Sequence, residues 1–224
     1  MRTAAVNPTP PPSLSLSPTP SRPSPPLRRL LGALGAAAAL AACTTTPKQP
    51  GNAVYDFGAP VVAAAPAAAP LPALVVAAVG GPPALDNERM VYRLNYADPL
   101  QARTYAMSRW GSSPLEMLTQ RFKSRLSQAG VKVLSPEDAA LGIPLLRIEV
   151  DDFSHVFDSP GASHGQVVLR ASLFDGHRLL DQRTFSRKSA ATSADAGGGA
   201  RALAASADAV AGEMLAWLAA APKK

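Results

Sequence analysis

From Val54 onward, apolar positions recur along the chain with two different periods. In one stretch they fall every three or four residues: Leu115, Leu118, Phe122, Leu126 and Ala129. That spacing builds a single stripe on a helix. Ser113-Pro114-Leu115-Glu116 in front of it forms a capping box with Pro at the first helical position, and Gly130 behind it supplies a left-handed stop. Glu116, Gln120, Lys123 and Ser127 occupy the opposite side; with Arg121 and Arg125 they predict a basic, solvated face. A second helix is expected from about Ala200 to Leu218, with Leu203, Ala207, Val210, Met214 and Trp217 in one stripe. The Gly197-Gly198-Gly199 run before it reads as a flexible lead-in.

Elsewhere the period is two, the signature of half-buried strands. Leu146, Ile148 and Val150 alternate with Arg147, Glu149 and Asp151 in a strand from Leu145 to Phe157. The alternation stumbles at Asp151-Asp152, which predicts a bulge. Gln166 to Phe174 alternates in the same way and leads into Asp175-Gly176, a pair favoured in type I′ hairpin turns, with His177 to Arg187 returning. Shorter strands are expected at Val54–Phe57, Ala73–Val79, Met90–Tyr96 and Val131–Leu134. The Ala/Pro stretch from Gly58 to Pro72 is a loop. No internal repeat is visible. Strands, helix, strands with one hairpin, then a helix give an α+β domain: a mixed or mostly antiparallel sheet with two helices packed on one face.

The segment before Val54 has a different character. Arg28-Arg29 precede an apolar run from Leu30 to Leu40, eleven residues and too short to span a bilayer. It closes with Leu40-Ala41-Ala42-Cys43, which matches the bacterial lipobox: a Leu, two small residues and a Cys whose thiolate receives lipid and becomes the new N-terminus. Cys43 is the one cysteine in the 224 residues, so no intramolecular disulfide forms. Residues 1–42 are therefore expected to be a signal peptide. Residues 1–26, rich in Pro, Ser and Thr, lie ahead of the positive region, and a start at Leu27 would leave a compact signal. Residues 43–53 are then a lipidated tether and 54–222 the folded domain. Three acyl chains hold stably where one is marginal. Thr44, rather than Asp, follows the cysteine, which points to the outer membrane, periplasmic face.

Removing the leader changes the electrostatic picture. The full chain carries 22 basic and 16 acidic residues. Four basic residues (Arg2, Arg22, Arg28 and Arg29) and no acidic ones precede Cys43, so the mature chain is 18 minus 16, or +2. That balance gives no case for a nucleic-acid partner.

Few positions suggest chemistry. Gly161-Ala162-Ser163-His164-Gly165 matches G-x-S-x-G, but a nucleophile elbow needs a helix after the serine, and a strand follows at Gln166. His164 is the immediate neighbour of Ser163, a poor place for its base, and the segment reads as a loop between strands. His155, His164 and His177 lack metal-ligand spacing, so no metal or cofactor is expected. Asp151-Asp152 has no second carboxylate placed opposite it. The glycine run lacks the Lys-Ser/Thr of a phosphate loop. No transmembrane span is read. The chain is expected not to be an enzyme.

Several segments in order resemble the ABC-type transport auxiliary lipoproteins, the family of paraquat-inducible protein C. They are Cys43; a short strand with Tyr55; Leu85-Asp86-Asn87-Glu88-Arg89-Met90-Val91; Ser108-Arg109-Trp110 with Pro114-Leu115; the Asp175-Gly176 hairpin; and Trp217-Leu218 in the last helix. The resemblance covers about residues 54 to 219. Asn87 stands where the family often has Arg, and the Ala/Pro loop after Tyr55 is unusual for it. The resemblance implies an outer-membrane lipoprotein that assists an ABC/MCE-type lipid transport system and envelope integrity. Its partners would be an MCE-domain periplasmic protein and the inner-membrane permease and ATPase. The competing reading is a structural or assembly lipoprotein of an outer-membrane complex. Arg109 and Trp110 are the candidate partner-binding pair, since Trp beside Arg is a common interface anchor. The alternative, favoured for Trp110, is a core residue where the chain starts the first helix. Exposed sheet edges and the Ala-rich side of the last helix leave a homo-oligomer open.

Overall fold

The computed structural model describes residues 52–59, 71–138 and 141–221. All lie in the compact unit Pro50–Lys224. The signal segment, Cys43, most of the tether and the Ala/Pro loop from 60 to 70 are outside the described residues.

The strand β6 (Leu145–Ser159) organises the sheet. One of its edges pairs antiparallel with β7 (Ala162–Asp175) over its whole length, and β7 pairs in turn with β8 (Arg178–Ala190). Its other edge is shared. β2 (Ala73–Val76) runs parallel to its beginning, and β3 (Arg89–Leu94) runs parallel to its end. β5 (Lys132–Leu134) extends the sheet beyond β2. On the other branch, β4 (Asp98–Trp110) folds back on β3, and β1 (Ala53–Tyr55) lies parallel to the last three residues of β4. The result is one mixed sheet of eight strands.

Two helices cover one face: α1 (Pro114–Gln128) and α2 (Ala196–Ala220). The α+β class read from the pattern is the architecture observed. Leu146, Ile148 and Val150 are buried beneath the helices, while Arg147 and Asp151 are exposed. Register slips between Val150 and Asp152, so Asp151 is the extra residue of a bulge. After it, odd-numbered Phe153, His155 and Phe157 take over the inward positions. All five stripe residues of α2 are buried, as are Leu118, Phe122, Leu126 and Ala129 of α1. The Ser113 hydroxyl accepts the Glu116 amide at 3.2 Å, and Gly130 has φ +85°. Local chemistry therefore sets both ends of α1.

Four expectations are corrected. First, β4 is a 13-residue strand where no strand was expected. Of its residues only Trp110 is buried, so its side chains carry no alternation to read. Second, the hairpin turn sits one residue later than expected: Asp175 pairs with Arg178, so Gly176 and His177 are the central pair, with φ +57° at the glycine. Third, the glycine run is no flexible lead-in but the first turn of α2. Asp195 caps it, its carboxylate accepting the Gly198 amide at 2.7 Å. A Cβ on Gly199 would lie 2.3 Å from His155 Nδ1, and one on Gly165 would lie 2.4 Å from the Leu203 amide nitrogen. The missing side chains let the helix backbone rest directly on β6 and β7. Fourth, Arg121 is not on a solvated face. It is 4% exposed, donates to the carbonyls of Phe57 and Gly58, lies over the Phe57 ring at 5.6 Å, and meets Asp208 of α2 at 3.7 Å.

By length and composition α2 is apolar enough to cross a bilayer, but half of its most apolar window is buried in this fold. Its hydropathy is that of a core helix.

Candidate functional site

Three of the motif segments read from the sequence, those with Tyr55, with Asn87 to Val91 and with Ser108 to Trp110, converge at the base of the β3–β4 arm, whereas the Asp175-Gly176 hairpin and Trp217 lie at β7 and β8. Arg89 and Arg109 stand directly opposite each other across the antiparallel pair. Like charges in that position repel. The Glu88 carboxylate meets the Arg109 guanidinium, and the Trp110 amide donates to the Glu88 carbonyl at 2.8 Å. The Asn87 side chain accepts the Arg89 amide at 3.0 Å and donates to the Ala84 carbonyl at 2.9 Å. Asn87 therefore ties the turn that leads into β3 without needing a charge there. β1 joins the same cluster: Tyr55 is paired with Trp110, and its carbonyl accepts the Gly111 amide at 2.8 Å.

Arg109 and Trp110 are adjacent, yet the strand sends them to opposite sides. Trp110 is 1% exposed, its ring set 5.9 Å from Phe57 and 5.7 Å from Phe153. A partner meeting this surface touches Arg109 and Glu88, each about half exposed, and not the indole. An open cleft of about 570 Å³ lies alongside, lined by Asn52, Asn87, Glu88, Arg89, Tyr105 and Arg109 among others.

Tyr105 marks a pair that no linear spacing announces. Its hydroxyl lies 2.8 Å from Nδ1 of His155, fifty residues away, and the two rings stack. His155 is fully buried between Tyr105, Phe157 and the backbone of Gly199. Burial, assisted by nearby His164, lowers its pKa to about 4. Burial also raises the Tyr105 phenol above its ordinary value. Both groups are thus held neutral near pH 7. A polar residue within the apolar alternation of β6 was the only available signal.

Ser163 and His164 lie inside β7, not in a loop, paired with Phe157 and Val156 respectively. Neighbouring strand residues point to opposite faces, so the two side chains diverge. His164 Nδ1 is 2.8 Å from Asp158, while the Ser163 hydroxyl is buried without a hydrogen-bond partner. The Asp152 carboxylate accepts from Ser154 at 3.2 Å and from Gln166 at 2.6 Å, a cross-strand polar ladder. Among the described residues no three His, Cys, Asp or Glu side chains are grouped to hold a metal.

The class defined by this arrangement is a two-layer α+β domain seen in solved structures. A protein from Xanthomonas campestris, XCC0632, aligns with a TM-score of 0.59 at 18% identity, covering 74% of this chain and 90% of that one. A structure described as an uncharacterized protein aligns with a TM-score of 0.61 at 16% identity, covering 75% and 99%. At such identities the likeness concerns the fold. No curated protein matches the chain. The family model of the ABC-type transport auxiliary lipoprotein component matches residues 55–215, and the chain belongs to that family.

Proposed function

We propose that this lipoprotein is held by lipid on Cys43 at the periplasmic face of the outer membrane and docks the periplasmic MCE-domain protein of a lipid transporter. It is an auxiliary lipoprotein of ABC-type transport by family. The observation that carries the finer reading is the lipobox Leu40-Ala41-Ala42-Cys43 followed by Thr44, directly ahead of this family's domain. Docking needs no catalytic group. A folded domain on a short tether raises the local concentration of its docking surface near the membrane. The exposed Arg109–Glu88 pair, beside the strand into which the tether runs, is the contact assigned to the partner.

The test is affinity purification of the tagged full chain from envelope preparations. An MCE-domain protein with its permease and ATPase is expected to co-purify, and Arg109→Glu is expected to reduce that capture without loss of the fold. Cys43→Ala should release the protein from membranes, and Thr44→Asp should shift it to the inner membrane. An unmodified Cys43 in the mass spectrum of the mature protein would remove the anchoring half of the reading. Capture of only outer-membrane assembly factors would remove the transport half.

A further inference from the structure

The arm formed by β3 and β4 ends in a turn at Asn95–Ala97 that carries apolar side chains outward. Leu100 is 89% exposed and Tyr96 49%. This exposure is built rather than slack. The Leu100 amide donates to the Asp98 carboxylate at 2.9 Å, and the Arg93 guanidinium reaches the carbonyls of Pro99 and Leu100 at 3.4 and 3.5 Å. These bonds hold the backbone of the tip, and the leucine is left facing water. Arg103, tied to Gln101 at 2.7 Å, stands next to the tip on the other strand. Two arginines therefore stand at an apolar tip, beside the carboxylates of Asp98 and of Asp158, which follows the β6 residue paired with Leu94.

Direction decides what meets this tip. β1 is parallel to β4, with Ala53 opposite Ser108. The N-terminal end of β1 therefore points toward lower β4 numbers, which is toward the tip. Eight residues of strand separate Ser108 from Leu100, about 26 Å at most. Ten residues separate Ala53 from Cys43, with a reach of roughly 33–36 Å. That reach exceeds the length of strand from Ser108 to Leu100, so chain length permits Cys43 and Leu100 to meet one bilayer. Leu141 and Leu179, also exposed, sit at the other end of β6 and β7.

We infer that the tip of the β3–β4 arm is a second membrane contact, with Leu100 and Tyr96 entering the interfacial region of an anionic phospholipid surface while Arg93 and Arg103 meet its phosphates. This inference rests on the lipid anchor at Cys43 and adds an orientation to it. One flexible tether leaves a domain free to tumble; a second contact at the tip of the arm holds the sheet upright on the bilayer.

Leu100→Cys tests it, because the sole natural cysteine is occupied by lipid in the anchored protein and an environment-sensitive dye then labels one position. The full lipidated chain is reconstituted in vesicles of phosphatidylethanolamine and phosphatidylglycerol, with Leu141→Cys as the far-end control. Blue-shifted emission and several-fold weaker iodide quenching at position 100 than at 141 are expected, and Arg93→Glu with Arg103→Glu should abolish the difference. Circular dichroism confirms that each variant is folded. An acylated chain with equal quenching at both positions would overturn the tip contact alone. Protection at 100 that arises only when the co-purified transporter proteins are added would also overturn it, identifying the tip as a protein contact. A chain without acyl groups would overturn the anchor reading, and this orientation with it.

Discussion

β7 and β4 are strands of 14 and 13 residues, and they use their length in opposite ways. β7 is paired on both edges along nearly its whole run and buries Val167, Leu169, Ala171 and Leu173 under α2. β4 meets β3 with large register shifts on either side of residues 102–104, and only Trp110 at its foot is buried. Stability resides in the first strand's neighbourhood. The second is held at its base and offers surface. An edge that long is a hazard in a free protein. β8, the opposite edge, carries Arg178, Arg183, Arg187 and Lys188 and leaves Leu179 half exposed, while the β4 arm keeps Leu100 and Met107 exposed. Leu100, at 89% the most exposed of these, is the side chain on which the proposed membrane contact rests.

The largest effect should come from the joint between the two regions. Trp110→Ala empties the space between Phe57 and Phe153 and is expected to cost about 3–5 kcal/mol in urea unfolding. An unchanged midpoint would mean that the arm is independent of the core. Next comes pH. The native His155 pKa of about 4 lies below its ordinary 6.5. Between these values the unfolded chain binds a proton that the native state refuses, so stability falls as pH drops from about 6.5 to 4, by on the order of 3 kcal/mol. Above that window this contribution is constant. His155→Gln should flatten the dependence of the urea midpoint on pH; an undiminished slope would assign it to other groups.

Smaller changes separate helix from arm. Asp195→Ala removes the cap of α2 and should cost about 1 kcal/mol by the same measurement. Leu100→Ser should stay within about 0.5 kcal/mol of the parent, since the side chain is in water already. Yet it should lower retention on vesicles once the tether is shortened. A clear destabilisation by Leu100→Ser would place the tip in the core's account and erase the distinction between the two strands.

Much of the fold could be read before its structure. Both helices, the ends of α1, the bulge at Asp151 and the strands of the core follow from periods of two and 3.6 with their caps and breakers, all of which act over a few residues. β4 escaped because a strand exposed on both sides has no period. Its pairing with β3 is a fact about neighbours, not about its own side chains. Arg121 escaped for the related reason that a cation on a helix looks solvated until Asp208 and the Phe57 and Gly58 carbonyls are brought to it. Of the candidate pair, Arg109 is reachable and Trp110 is core, a division that adjacency in sequence cannot express.

Local order alone thus determined the lipobox match at Cys43, the near-balance of charge from Cys43 onward and the α+β alternation. Each is written in residues that lie side by side. Tertiary structure decided that Gly199 and Gly165 let α2 rest on β6 and β7, that Tyr105 and His155 meet across fifty residues, and that β1 runs parallel to the foot of β4. These are properties of close packing and strand direction, which exist only once distant segments share a surface.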